Sequence, residues 1–157
     1  MQTMKSSTQK KTSKKAKAIG MNHVALEVGN IEDALDLYRR LFDFTLRGRQ
    51  KGMAFIDLGD QFIALQESAA RRPDGSRHFG LVVDDADAVK RELDRVGKEV
   101  RRIGDYDFLD PWGNRIQIIE YSECQFSKTP GVIRGMRLEG LKKNDEALEE
   151  LKEKRML

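Results

Sequence analysis

The chain has 157 residues, of which 29 are Lys or Arg, 26 are Asp or Glu, and 39% are hydrophobic. This length fits one ordinary domain or two small halves that share a core. The apolar runs are no longer than a strand, which excludes a helix that crosses a bilayer. No apolar signal-peptide segment follows the basic start, and the single cysteine, Cys124, excludes an internal disulfide, so we expect a cytoplasmic protein.

The positive charge is concentrated in residues 1–20, which contain six Lys and no acidic residue. Residues 21–123 are acidic, with 15 Lys+Arg against 20 Asp+Glu. Because residues 1–20 contain almost nothing to bury, we predict a disordered basic tail. Its lysines allow weak, salt-sensitive contact with nucleic acid or anionic lipid. No recognition motif accompanies them, so we expect no other nucleic-acid or membrane partner.

A first unit is predicted at about residues 21–67. It opens with the apolar run NHVALEV at 22–28. Asn30 followed by Asp33 is typical of a helix N-cap, and an apolar stripe with helical spacing continues to Leu41. A short strand near 45–49 and a hairpin made of 53–58 and 61–67 follow.

A second unit is predicted at about residues 77–121, because the chain matches itself after a shift of 55 residues. The run RHFGLVV at 77–83 takes the place of NHVALEV. Asp84 followed by Asp87 predicts a second N-cap, with a helix behind it. Strands near 99–103, at 106–110 and at 115–121 follow. The only histidines of the chain, His23 and His78, therefore occupy equivalent positions.

Residues 123–157 form a C-terminal extension beyond the two units. The segment SKTPGVIRGMRL is interpreted as irregular. A helix is predicted at about 145–154, with Asn144 as its N-cap. Its single apolar stripe needs a surface to cover, either the domain itself or a second copy.

Three features in this order, NHVALEV with a capped helix, HFGLVVDD, and FLDPWGNRIQIIE, resemble the vicinal oxygen chelate superfamily. This superfamily includes glyoxalase I, fosfomycin- and bleomycin-resistance proteins and extradiol dioxygenases. The resemblance covers about residues 21–122. It implies an α+β fold in which two tandem βαβββ units form a curved mixed sheet around a cleft. It also implies a small-molecule substrate or ligand and a homodimer.

The resemblance also implies a metal site, because metal-binding members place one ligand on each of four strands. The matching positions here are His23, Ala64, His78 and Gln117. His23, His78 and Gln117 are thus the candidate ligands of a divalent Mn, Fe, Ni or Zn ion. Ala64 cannot bind a metal, and Gln117 is a neutral carboxamide where the family usually has Glu. We therefore expect a metal that is bound weakly or not at all.

No other carboxylate clearly replaces the missing one. Strand alternation turns Glu67 and Glu120 away from the cleft. Glu27 shares a face with His23 but lies about 13 Å along the strand. The strand parity of Asp107 is undetermined, and no residue is assigned as the catalytic base.

Several side chains are candidates for substrate binding. They are Glu27, Phe62, Gln66, Tyr106, Phe108, Arg115 and Tyr121. The alternative for the aromatic residues is a place in the core. The alternative for Arg115 is an ion pair near the turn at Asp110.

Two functions remain open from the sequence. One is a metal-dependent isomerase, lyase or dioxygenase-like enzyme that acts on substrates with vicinal oxygens. The other is a metal-free protein that sequesters a ligand, as bleomycin-resistance members do. The acidic body would favour a cationic ligand.

Overall fold

The computed structural model of the chain describes residues 21–70 and 72–157. The predicted basic tail, residues 1–20, lies outside them. The described part contains two units in which a strand and a helix are followed by three strands. Within this part, no helix is both long and apolar enough to cross a membrane.

The first unit forms one four-stranded sheet with a helix packed on it. Its elements are β1 (His23–Val28), α1 (Ile31–Leu41), β2 (Leu46–Gln50), β3 (Met53–Asp57) and β4 (Phe62–Glu67). The strand order is β1-β4-β3-β2, with β1 parallel to β4 and the other pairs antiparallel. As predicted, Asn30 caps α1, since its side chain accepts a hydrogen bond from the backbone N–H of Asp33.

The second unit repeats this arrangement. Its elements are β5 (Phe79–Val83), α2 (Ala86–Val96), β6 (Arg101–Arg102), β7 (Asp107–Leu109) and β8 (Arg115–Glu120). The strand order is β5-β8-β7-β6, with β5 parallel to β8. Two four-stranded mixed sheets with helices confirm the α+β class.

Three local predictions in the second unit are wrong. The N-cap of α2 is Asp85, whose carboxylate accepts from the N–H of Ala88, and not Asp84. His78 lies one residue before β5 and not within it. Tyr121 lies in a 3₁₀ turn after β8, where the chain has already left the strand, so strand alternation does not apply to it.

One hydrophobic core joins the two units, because both sheets and both helices contribute to it. On β1, Leu26 and Val28 are buried in this core, whereas His23, Ala25 and Glu27 are exposed. This confirms the predicted alternation of β1. We call the sheet face turned away from the helices the open face.

Two polar contacts, one buried and one exposed, link the units to each other. The Tyr38 hydroxyl, on α1, donates to Oδ2 of Asp110, which follows β7, at 2.6 Å. The Asn114 side chain donates to the backbone carbonyl of Glu27 at 2.8 Å. The turn between β7 and β8 is therefore tied to both α1 and β1.

The C-terminal extension returns to the first unit. It contains α3 (Pro130–Gly135) and α4 (Asp145–Glu153), which is the predicted C-terminal helix. The irregular conformation predicted around α3 is wrong, because Thr129 caps this short helix and Pro130 occupies its first turn. Lys128 donates to the carbonyl of Leu58 at 2.8 Å, so the extension is attached to the turn between β3 and β4.

Candidate functional site

The open face of the first unit carries a row of stacked side chains at the start of β1 and β4. The imidazole of His23 stacks on the ring of Phe62, with centroids 4.7 Å apart and planes 11° apart. The guanidinium of Arg47 lies 4.8 Å from the centre of the Phe62 ring, and Phe55 meets that ring edge-on at 5.8 Å. The imidazole and the guanidinium therefore both pack on the ring of Phe62. Phe62 thus holds His23 in place.

Both histidines use the same ring nitrogen, Nδ1, for a hydrogen bond within the chain. In His78, Nδ1 lies 2.9 Å from the carbonyl oxygen of Ser76, which can only accept, so Nδ1 carries the proton. In His23, Nδ1 lies 2.9 Å from the side-chain oxygen of Asn22 and donates in the same way. Nε2 is then the unprotonated nitrogen in both neutral rings. This is the arrangement of a histidine that binds a metal through Nε2.

Gln117 lies on the open face of the second sheet, between two neighbours of different kinds. On one side it pairs with Gly80 of β5, which has no side chain. On the other side it pairs with Asp107 of β7. Gln117 is exposed, so its carboxamide is available to a ligand.

Asp107 and Arg115 form an ion pair on the same open face. Nη2 of Arg115 is 2.5 Å from Oδ2 of Asp107, and Nε lies 3.2 Å from each carboxylate oxygen. The side chains are only 18% and 23% exposed. The hydrogen bonds that Arg115 donates to Asp107 raise the pKa of Arg115 above its ordinary value. The ion pair predicted for Arg115 therefore exists, with Asp107 as its partner.

The strand next to His78 begins near the end of β1 that is opposite to His23. His23 is the first residue of β1. Near the last residues of β1, Asn114 donates to the carbonyl of Glu27. Asn114 directly precedes β8, whose start pairs with the start of β5, next to His78. Glu27 is about 13 Å along the strand from His23, so the contact from Asn114 places the start of β8 beside the end of β1 that is opposite to His23.

The donor types of the candidate ligands fit a divalent metal. Among the residues that the structure describes, no three His, Cys, Asp or Glu side chains come close enough to hold an ion. Ala64, at the fourth position, is buried and provides no donor. The neutral imidazoles and the carboxamide of Gln117 are nevertheless donors that first-row divalent metals accept.

The candidates for substrate binding fall into different environments. Glu27 and Gln66 are exposed neighbours at the ends of β1 and β4. Tyr106 is 37% exposed, and its hydroxyl donates to Asp87 at 2.6 Å. Phe108 is fully buried in the core, the alternative that the sequence left open. Tyr121 is also buried, under the C-terminal extension.

A partly buried lysine, Lys143, holds that part of the extension. Nζ of Lys143 donates to the carbonyl oxygens of Tyr121 and Phe126, each at 2.5 Å. It also lies 3.4 Å from the centre of the Tyr121 ring. Burial lowers the pKa of Lys143, and the nearby Cys124 opposes this change. These contacts give Tyr121 and Lys143 a structural role at the junction of β8 and the extension.

The contact between Tyr38 and Asp110 was missed by sequence reasoning. Asp110 is buried and also accepts from the N–H groups of Trp112 and Asn114, at 2.9 and 2.8 Å. Burial raises the pKa of Asp110, and the hydrogen bonds from Tyr38 and Asn114 oppose this rise. The run DPWGN contains the signal for this turn, because an Asp side chain readily accepts from N–H groups two to four residues on.

A surface cavity of about 230 Å³ lies beside the N-terminus of α1, at the far end of β4 from Phe62. It is lined by Asn30, Ile31, Glu32, Arg49, Gln50, Gly52, Met53 and Glu67. None of the site residues predicted from the sequence lines this cavity.

The described part of the chain is built from two βαβββ units. One histidine is the first residue of β1, and the other directly precedes β5. Residues 20–118 match the sequence profile of the Glyoxalase/Bleomycin resistance protein/Dioxygenase superfamily. The chain belongs to this superfamily. The resemblance seen in the sequence is thereby confirmed.

Solved structures share the fold. A putative glyoxalase family protein from Bacillus anthracis is similar with a TM-score of 0.53 and 23% identity, over 68% of this chain and 98% of that one. The fosfomycin resistance protein FosX from Listeria monocytogenes is similar with a TM-score of 0.54 and 12% identity, over 74% of this chain and 98% of that one. A bleomycin resistance determinant encoded on the transposon Tn5 is similar with a TM-score of 0.50 and 18% identity, over 65% of this chain and 98% of that one. At such identities the likeness shows the fold alone.

Proposed function

We propose that the chain is a small-molecule enzyme that uses a divalent metal held by His23, His78 and Gln117. The observation that carries this proposal is the orientation of the two imidazoles. Each donates from Nδ1 to an oxygen of the chain and leaves Nε2 as the metal-binding nitrogen. Membership of the superfamily supports isomerase, lyase or dioxygenase-like chemistry on a substrate with vicinal oxygens.

Each residue of the proposed site has one role. The imidazoles of His23 and His78 and the side-chain oxygen of Gln117 would hold the ion, a divalent Mn, Fe, Ni or Zn. When bound, such an ion polarises substrate oxygens as a Lewis acid. Gln117 contributes a dipole and no charge, so affinity is lower than with a carboxylate. Glu27, Gln66 and the exposed part of Tyr106 remain proposed substrate contacts, and no base is assigned.

We infer that the site is completed in a homodimer. Within one chain the strand next to His78 begins near the end of β1 that is opposite to His23, so His23 of one chain would work with His78 and Gln117 of a second. The single cysteine, Cys124, is free, which suits the reducing cytoplasm that we propose as the location.

Metal titration by calorimetry tests the metal site. The comparison is wild type with His23→Ala, His78→Ala and Gln117→Ala, with Gln66→Ala as the matched control for loss of an exposed amide. We expect stoichiometric Mn²⁺ or Ni²⁺ binding that each histidine variant abolishes and that Gln66→Ala preserves. Wild type that binds no divalent ion at millimolar concentration would refute the proposal.

Mixed dimers of His23→Ala and His78→Ala test the shared site. If two chains share each site, a mixed dimer keeps one intact site out of two and binds one metal ion. If each site lies within one chain, the mixed dimer binds none. Differently tagged copies allow the mixed species to be purified before titration.

A second function is favoured by a separate observation. In the described residues no three His, Cys, Asp or Glu side chains converge, and Asp107 is already neutralised by Arg115. A metal-free protein that sequesters a small molecule needs no such cluster. The excess of acidic residues in 21–123 favours a cationic ligand. Binding of a cationic glycopeptide by wild type, unchanged by EDTA and by loss of both histidines, would support this function over the enzyme.

A further inference from the structure

The carboxylate of Asp107 lies directly opposite Gln117 on the neighbouring strand. The superfamily resemblance implies a carboxylate at residue 117 itself. Asp107 of β7 pairs with Gln117 of β8 in the antiparallel register. Directly opposed residues of this kind have Cβ atoms about 4.5–5.5 Å apart. Two side chains at that spacing can reach a common ion.

Asp107 faces the same side of the sheet as Gln117. The next residue, Phe108, is fully buried in the core, so strand alternation turns Asp107 to the open face. On the other side of Gln117 stands Gly80, where an added Cβ would lie 2.5 Å from the side chain of Ile119. Asp107 is therefore the side-chain neighbour of Gln117 across this row of three strands.

The opposed pair also explains why residue 117 is neutral. A glutamate at 117 would place two carboxylates directly opposite each other, and like charges so arranged are destabilising. With Asp107 on β7, a carboxamide at 117 avoids this repulsion and still provides an oxygen.

Arg115 holds Asp107 in a defined position. Its guanidinium donates three hydrogen bonds to the carboxylate, at 3.2, 3.2 and 2.5 Å. Nη1 of Arg115 also donates to the carbonyl of Gly75 at 2.9 Å. Arg115 therefore keeps its hydrogen bond to the Gly75 carbonyl if the Asp107 carboxylate binds another cation.

From this geometry we propose that Asp107, on the strand beside Gln117, supplies the carboxylate of the metal site. Arg115 holds this carboxylate until a divalent cation takes the place of the guanidinium. This inference rests on the proposed metal-dependent function. It adds an anionic ligand to two imidazoles and a carboxamide, and so supplies the charge that the set otherwise lacks.

The test is calorimetric titration with Mn²⁺ and Ni²⁺ of wild type, Asp107→Asn and Arg115→Gln. Asp94→Asn is the matched control, because it also breaks an Asp–Arg pair, with Arg102, but on α2. We expect Asp107→Asn to weaken binding by at least the roughly 10–100-fold that loss of a supporting group costs. Arg115→Gln should bind at least as tightly as wild type, because the competing cation is gone, and Asp94→Asn should match wild type.

The two variants of the pair separate a ligand from a structural carboxylate. A merely structural pair predicts that Asp107→Asn and Arg115→Gln lose the same affinity, and that result would overturn the inference. Arg115→Lys serves if Arg115→Gln does not fold, as judged by circular dichroism, and is expected to keep wild-type affinity. If wild type binds metal and Asp107→Asn binds equally well, only this inference fails. If wild type binds none, the proposed function fails with it.

Discussion

Replacement of Tyr38 by Phe removes one buried hydroxyl at the contact between the two units. Tyr38 is 2% exposed, and its hydroxyl donates at 2.6 Å to Asp110, which is 4% exposed. Phenylalanine keeps the ring and its packing. The change in the free energy of unfolding therefore reports the hydrogen bond and not a cavity.

The size of the effect follows from the remaining partners of Asp110. A hydrogen bond to a charged group contributes about 1.5–3 kcal/mol. Asp110 keeps the N–H groups of Trp112 and Asn114 and the side-chain amide of Asn114, at 2.9, 2.8 and 2.7 Å. Because the carboxylate is not left without donors, we expect a loss of about 2 kcal/mol. The melting temperature should fall by about 4–8 °C.

Urea denaturation at pH 7, followed by circular dichroism, measures this loss. The matched control is Tyr106→Phe, since Tyr106 donates to Asp87 at the same 2.6 Å but is 37% exposed. An exposed pair of this kind should change stability by less than about 0.5 kcal/mol. If Tyr38→Phe costs no more than Tyr106→Phe, the argument from burial is refuted.

The same pair predicts how the difference changes with pH. Burial raises the pKa of Asp110 and the Tyr38 hydroxyl opposes the rise, so the variant has the higher Asp110 pKa. The difference in free energy of unfolding between wild type and Tyr38→Phe should therefore narrow as pH falls through the Asp110 pKa of the folded variant and then that of folded wild type. Burial, followed by the charge of Asp110 and the hydrogen bond to it, raises the pKa of Tyr38. Above about pH 10 the unfolded wild type releases its phenolic proton first, and this difference narrows again. A difference that stays constant from acid to alkali would contradict both assignments.

Two other substitutions give further predictions. Gly113→Ala should cost about 2–4 kcal/mol in urea denaturation, because φ is +89° and an added Cβ would lie 2.5 Å from Cα of Pro73. Gly75→Ala, with nothing within 4 Å, is its control, and equal costs would contradict the steric argument. Asn30→Ala should cost about 1 kcal/mol, as the cap of α1 loses its side-chain acceptor. An unchanged melting temperature in calorimetry would contradict a role of this cap in stability.

Strand alternation was sufficient to predict the faces of β1. Six residues alternate there without interruption, and the exposed set contains His23 and Glu27 as predicted. The capped helices and the hairpins were predicted for a similar reason, since their signals are local. The α2 cap was misplaced because Asp84 and Asp85 are adjacent and chemically equal.

The face of Asp107 could not be predicted from the sequence. β7 has only three residues, which is too short for an alternation pattern, and only its pairing with β8 fixes which residue faces Gln117. Phe108 was ambiguous for the same reason. For Tyr121 the alternation of β8 suggested the open face, but the chain turns there. The position of the strand next to His78 relative to His23 depends on contacts between the units and has no local signal.

The return of the C-terminal extension sets an order of events during synthesis. Val132 and Met136 pack against Gly59, where an added Cβ would lie 2.9 and 2.7 Å from their side chains. These partners leave the ribosome about 70 residues after Gly59, which at common rates of synthesis is roughly 4–14 s later. The first unit must keep the turn between β3 and β4 without its cover for that time. Until α3 docks, this turn therefore exposes to solvent the side that Val132 and Met136 later contact.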